Sequence, residues 1–305
     1  MSSGDFTRRE LLRRAGAAAG VAAVASTAGC SAMPCIAGFG GCGGAYSQWL
    51  PEPGTVGSGD HYRFTHWNLS SVEQHEDEFR DDFGFDGTED QWAPADIDWE
   101  DVSMALWFNG VILVESGFNQ DDIVSDFEDD GWDDETTHES YEVMLSPNEA
   151  AAVGVGGGTL VGAGLAYSSF QDPVDVVEDL VDTKTGSEDR YVDDSDDFAT
   201  LTDKLGSGDF VSGGTMDETD TDDPENGQFE NVVAEGSRWT VNGSTTNVRR
   251  VLVFADGNDV DTGDVEDWID ENDGSDQQFD EWDDVNVNKN GRAAVINATT
   301  DTDEL

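Results

Sequence analysis

Four histidines, three cysteines and 68 carboxylates are the side chains from which this chain could build chemistry. His61 and His66 are five residues apart, an odd spacing that places them on opposite faces of a strand, which is poor for sharing one ligand. His75 and His138 stand alone. All four fit the ordinary role of surface or hydrogen-bonded imidazoles. No Gly-x-Ser-x-Gly elbow is present to hold a hydrolase serine, and no Gly-Lys pair is present to cradle a phosphate. Paired carboxylates carry no information at this abundance, because chance alone brings them together. No catalytic residue, no metal and no cofactor is therefore assigned.

Oxygen ligands crowd one loop: Asp256, Asn258, Asp259, Asp261 and Asp264. A hard cation such as calcium favours such oxygens, but the spacing is not that of an EF-hand. The plainer reading is a helix start whose dipole attracts carboxylates. Cys35 and Cys42 suit a surface disulfide or free thiols outside the cell; their spacing does not fit a zinc finger or knuckle with His61 and His66. Three Asn-x-Ser/Thr sequons, at Asn68, Asn242 and Asn297, offer glycan acceptors to an exported chain, Asn242 being the most accessible at a hairpin tip.

The remaining chemistry is that of an address. Thr7, Arg8, Arg9, Glu10, Leu11 and Leu12 match the twin-arginine export pattern, and Arg13 and Arg14 add charge. Ala15 to Gly29 then carries no charge and is only about 15 residues long, short of the ~20 needed to span a bilayer. Thr27-Ala28-Gly29-Cys30 has the form of a lipobox, departing from it at Thr27, with the Cys30 thiol as the lipid acceptor. The rival is plain cleavage after Ala25, at Ala23-Val24-Ala25.

Composition describes the solvent. Beyond residue 30 the chain carries 10 basic and 66 acidic side chains, a net charge of −56. Self-repulsion on that scale opposes a compact state in dilute buffer and is screened at molar salt, where the Debye length falls to ~3 Å. Nine Trp, fifteen Phe and five Tyr are too many for an acidic disordered chain. The absence of a basic face excludes nucleic acid and bare anionic lipid as direct partners.

A Gly- and Pro-containing stretch over 31–60 predicts a flexible tether. From His61 onward the pattern predicts an α+β fold made of two related copies of a hairpin-helix-hairpin unit, with mainly antiparallel sheets, in a first domain over 61–206 and a second over 207–305. Asn109-Gly110 and Asn242-Gly243 each join two apolar runs, a strong hairpin signal. Acidic helices with inward faces of Ile123, Val124 and Phe127, or Val265, Trp268 and Ile269, follow them. Val143 then aligns with Val285, and Val153 with Val295, without a gap. His61 to Leu69 corresponds to Asp209 to Met216 as an earlier strand. Two further helices are predicted in the first half, capped by Asp172 and Ser195 and stopped by Gly186 and Gly206. Ala150 to Gln171 is uncharged for 22 residues but holds six glycines, so a buried Gly-rich hairpin is predicted rather than a membrane helix.

In its signal, composition and layout the chain resembles haloarchaeal twin-arginine-exported lipoproteins of uncharacterised function. The resemblance implies residues 1–30 as a lipoprotein-type signal peptide, a lipid anchor on the outer face of the membrane, and a protein or small-molecule partner it does not name. Without modification of Cys30 the protein would be secreted. It supplies no catalytic residue, so the reading is a non-enzymatic binding or scaffolding module. The alternatives are a secreted hydrolase with an unrecognised site and a solute-binding component of a transporter, the latter disfavoured because hairpins dominate over long parallel lobes.

Overall fold

Val111, Ile112, Leu113 and Val114 are all buried, so the strand they form is covered on both faces. That requirement organises the molecule. The structure, a computed structural model, describes residues 44–57, 59–79, 97, 101–165, 170–274 and 278–305. Twelve strands form one antiparallel sheet: β1 Arg63–Asn68, β2 Val102–Phe108, β3 Val111–Ser116, β4 Asp133–His138, β5 Tyr141–Leu145, β6 Ala152–Gly156, β7 Thr159–Ala163, β8 Phe210–Thr215, β9 Val232–Asn242, β10 Thr245–Phe254, β11 Asp283–Asn290 and β12 Ala293–Asp301. Their order is β11-β12-β10-β9-β8-β1-β2-β3-β7-β6-β5-β4. Six α-helices are described: α1 Leu69–Glu73, α2 Gln120–Asp129, α3 Pro173–Thr185, α4 Tyr191–Asp194, α5 Asp196–Leu205 and α6 Thr262–Glu271.

The helices divide between the faces. Val111 and Leu113 of β3, with Val251 and Val253 of β10, join a core that includes Val177 and Leu180 of α3 and Phe198 and Leu201 of α5. Alternate residues point the other way. Ile112 and Val114 meet Ile123 and Phe127 of α2, and Leu252 and Phe254 meet Val265, Trp268 and Ile269 of α6. Thus α3 and α5 cover a first face and α2 and α6 a second. Both acidic helices bury the residues predicted for them except Val124, which is half-buried at the margin of the apolar contact; their charges repel along the outer side, so apolar contact holds them.

Local signals account for the boundaries. Asp172 Oδ1 accepts from the Asp175 N–H at 3.4 Å, Pro173 opens α3, and Gly186 ends it at φ +82°. Ser195 Oγ accepts from the Phe198 N–H at 3.2 Å to cap α5. At the β2–β3 turn Asn109 and Gly110 take φ of 41° and 85°, the type I′ pattern. The β9–β10 hairpin differs: Asn242 pairs with Thr245, so its centre is Gly243-Ser244, and Gly243 at φ 68° suits type II′.

Three expectations need correction or completion. The tether predicted over 31–60 does not extend through its described part. A short 3₁₀ helix, Ala45–Trp49, lies against the first face, with Tyr46, Trp49, Leu50 and Val56 in its core. Four large apolar side chains within eleven residues gain more by burial than the glycines and prolines around them cost. The ungapped alignment of Val143 with Val285 and Val153 with Val295 is not kept by sheet position. β12 pairs with β10, but the strand beside β3 is β7, not β6, so β4–β5 extends that edge. β4 itself, Asp133–His138, has no apolar alternation and was not predicted; as an edge strand it is held by backbone pairing with β5. The boundary at 206/207 falls at the end of α5, and the sheet continues across it because β8 pairs with both β1 and β9.

Ala150 to Gln171 contains the predicted Gly-rich hairpin, β6 and β7 turning at Gly157-Gly158. Close approach demands glycine at 164, where φ is +79° and a Cβ would come within 2.4 Å of the Ala150 carbonyl oxygen. Among the described residues no helix is long and apolar enough to cross a membrane.

Candidate functional site

A cleft lies at the strand end where β1 begins. The chain from Glu52 to His61 forms one wall, and the α4–α5 junction forms the other. Between them is a cavity of about 680 Å³ edged by Glu52, Asp60, His61, Asp194, Asp196 and Asp197, with Tyr191 at its floor. Tyr191 is fixed in three ways. It stacks on Phe198 at 4.4 Å, its hydroxyl meets Thr215 Oγ1 at 2.5 Å, and its N–H donates to the Leu50 carbonyl at 2.9 Å. Partial desolvation and the neighbouring carboxylates Asp194, Asp189 and Glu188 raise the Glu52 pKa above the ordinary glutamate range. Such a rim attracts hydrated cations and repels anions. Among the described residues no three metal-ligating side chains converge on a point.

The histidines are dispersed. His61 Nδ1 lies 3.0 Å from Thr215 Oγ1, and Nε2 lies 3.3 Å from the exposed Asp217 carboxylate. His66 faces the opposite way from its neighbours Thr65 and Trp67, its ring tilted against Tyr46 at a centroid distance of 5.1 Å. It is buried, its Nδ1 finds no hydrogen-bond partner among the described residues, and burial lowers its pKa to about 4. His138, on β4, holds α3 through Asp182 at 2.9 Å and Glu178 at 3.8 Å; the Asp182 hydrogen bond raises its pKa.

The loop that could have bound calcium spends its oxygens locally. Asp256 Oδ1 accepts from Asn258 N–H at 2.7 Å, and Asp261 Oδ1 accepts from Gly263 N–H at 2.9 Å to cap α6. Asp259, Asp261 and Asp264 edge a small cavity of about 180 Å³ together with Asp222.

The three sequons differ in setting. Asn242 is exposed at its hairpin end. Asn68 is half-buried, and its N–H donates to the Asp209 carbonyl at 2.7 Å. Asn297 Oδ1 accepts from Arg249 Nε at 2.9 Å, and that arginine donates in turn to the Lys204 carbonyl at 3.0 Å. With Arg238, which reaches the Leu205 carbonyl at 2.9 Å, Arg249 places a second guanidinium at the negative end of α5. A glycan on Asn297 would displace that contact. Arg8, Arg9, Cys30, Cys35 and Cys42 lie outside the described residues.

The acidic cleft and the paired arginines were missed from the sequence. One acid among 68 carries no positional signal, and Arg238 and Arg249 come together only through the β9–β10 register.

No family model matches this chain, and no curated protein matches it. Among solved structures it is similar to TP0453. Crystal form I has a TM-score of 0.43 at 10% identity, over 83% of this chain and 94% of that one. Crystal form IV has a TM-score of 0.43 at 10% identity, over 84% and 96%.

Proposed function

We propose that this protein is exported by the twin-arginine pathway, lipidated at Cys30, and held on the outer face of a haloarchaeal cell membrane as a non-enzymatic binding or scaffolding module. The observation that carries the reading is the run from Thr7 to Cys30: a hydroxyl residue, two arginines, two leucines, an uncharged stretch and then a cysteine. Support comes from Tyr46, Trp49, Leu50 and Val56, which join the core of the first face; fifteen residues lie between Cys30 and Tyr46, a distance in sequence that suits an anchor. The charge of −56 beyond residue 30 suits molar salt outside the cell.

The body is also proposed to be a duplication. Apart from α1 between β1 and β2, β1-β2-β3-α2 and β8-β9-β10-α6 share one order of elements, meet at the central β1–β8 pair, and bury their acidic helices on the same face. In this reading β6–β7 corresponds to β11–β12, and β4–β5 is an extension of the first copy.

The test of the address is replacement of Arg8 and Arg9 together by Lys. The precursor should accumulate in the cytoplasm; undiminished export of that variant would remove the assignment.

A further inference from the structure

The three sequons sit in three kinds of backbone. Asn242 ends β9, and its side chain is exposed. Gly243 follows at φ +68°, and a Cβ built on it would meet nothing within 4 Å, so the tip stands in open space. Ser244, which completes the sequon, is exposed as well. The turn is held through its backbone. The Gly243 carbonyl accepts from Thr302 Oγ1 at 2.7 Å, and the Ser244 carbonyl accepts from the Thr302 N–H at 2.9 Å. The Asn242 amide and the Ser244 hydroxyl are left to solvent.

Asn297 is at the opposite extreme. It lies inside β12, paired with Arg249 of β10 on one side and Asn286 of β11 on the other. Its neighbour Ala298 is buried, and its Oδ1 is occupied by Arg249 Nε at 2.9 Å. Asn68 is half-buried at the end of β1. The other two residues of its sequon, Leu69 and Ser70, open α1, and Leu69 is buried. An enzyme could reach either asparagine only after strand or helix had opened.

We propose that Asn242 is a site of N-linked glycosylation on this protein, and that Asn68 and Asn297 stay bare. The proposal rests on the proposed export, because the donor is a lipid-phosphate-linked oligosaccharide met at the outer face. The transferase recognises the asparagine amide together with the hydroxyl two residues on, so both must be accessible at once. The twin-arginine route carries chains across the membrane already folded. The transferase therefore meets the finished sheet, in which the sequon at 242 is open and the other two are closed. A chain threaded across unfolded would offer all three. In the transfer, Asn242 Nδ2 bonds to C1 of the first sugar, and the bond from C1 to the phosphate oxygen breaks. The lipid phosphate leaves with that electron pair, and one Nδ2 proton passes to a base of the transferase.

The test uses the full chain, expressed in a haloarchaeal host shown to glycosylate its own surface protein and recovered in molar salt. Mass spectrometry reads the three sequon peptides and the mature N-terminus. Occupancy at Asn242 should exceed that at Asn68 or Asn297 at least about tenfold, since those two need local opening first. Asn242→Gln, a change at an exposed tip, should bring the intact mass down to that of the bare chain. Exported, processed protein without sugar at Asn242 overturns the site and leaves export standing. Comparable sugar at Asn297 overturns the selectivity, because the chain was then modified before it folded. Unprocessed, unmodified chain in the cytoplasm overturns both export and site.

Discussion

The hydroxyl of Tyr46 donates to the carbonyl of Gly206, 160 residues further along the chain, at 3.2 Å. It joins the 3₁₀ turn Ala45–Trp49 to the stop of α5. Tyr46 is fully buried and stacks on Phe64 at 5.0 Å, and its burial pushes its phenol pKa well up. Tyr46→Ala should cost ~3–5 kcal/mol through the lost ring and the cavity, and Tyr46→Phe about 1 kcal/mol through the hydrogen bond. Urea unfolding in molar KCl measures both. Removal of every residue through Trp49 should abolish the transition. An intact transition after that deletion would mean that this segment is tether after all.

His66 sets a pH dependence whose sign is fixed. The unfolded chain takes up its proton near 6.5 and the folded one only near 4. Between those values the unfolded state binds more protons, so this contribution to stability falls as pH drops from 6.5 to about 4 and is level below. The shift corresponds to something on the order of 3 kcal/mol. His66→Phe, which suits the Tyr46 ring beside it, should remove that slope. Comparing the two proteins at each pH cancels the carboxylates they share, and identical slopes would argue against a neutral buried imidazole.

Salt should govern folding. Few cations meet the acids in the described body, among them Arg63 with Glu235 at 2.9 Å and Arg250 with the same carboxylate at 3.4 Å. Most of the repulsion is left to screening. Circular dichroism below about 0.5 M salt should show lost structure that returns in molar KCl or NaCl. A sharp thermal transition at low salt, equal to that at high salt, would contradict this.

The hairpin at Asn109-Gly110 was legible because two positive φ angles demand those residue types wherever they occur. The caps at Asp172 and Ser195 and the inward faces of α2 and α6 were legible for the same reason: local spacing determines them. What depended on distant partners was not. Composition hid Tyr46, Trp49, Leu50 and Val56 among glycines and prolines, although their fate depends on the first-face core they share with α3 and α5. Sheet order decided that β7, not β6, lies beside β3, which no ungapped alignment could show. β4 was invisible because an acidic edge strand needs only backbone partners. The cleft at Glu52, Asp60 and Asp194 was invisible because carboxylates are everywhere in this sequence.

The anchor is the claim on which the placement at the membrane depends, and one substitution addresses it. Cys30→Ser should either release the protein into the medium or stop its processing, as read by fractionating cells and weighing the product. If the variant stays with the membrane and is cleaved as before, lipidation at Cys30 is wrong, and cleavage after Ala25 or another attachment takes its place.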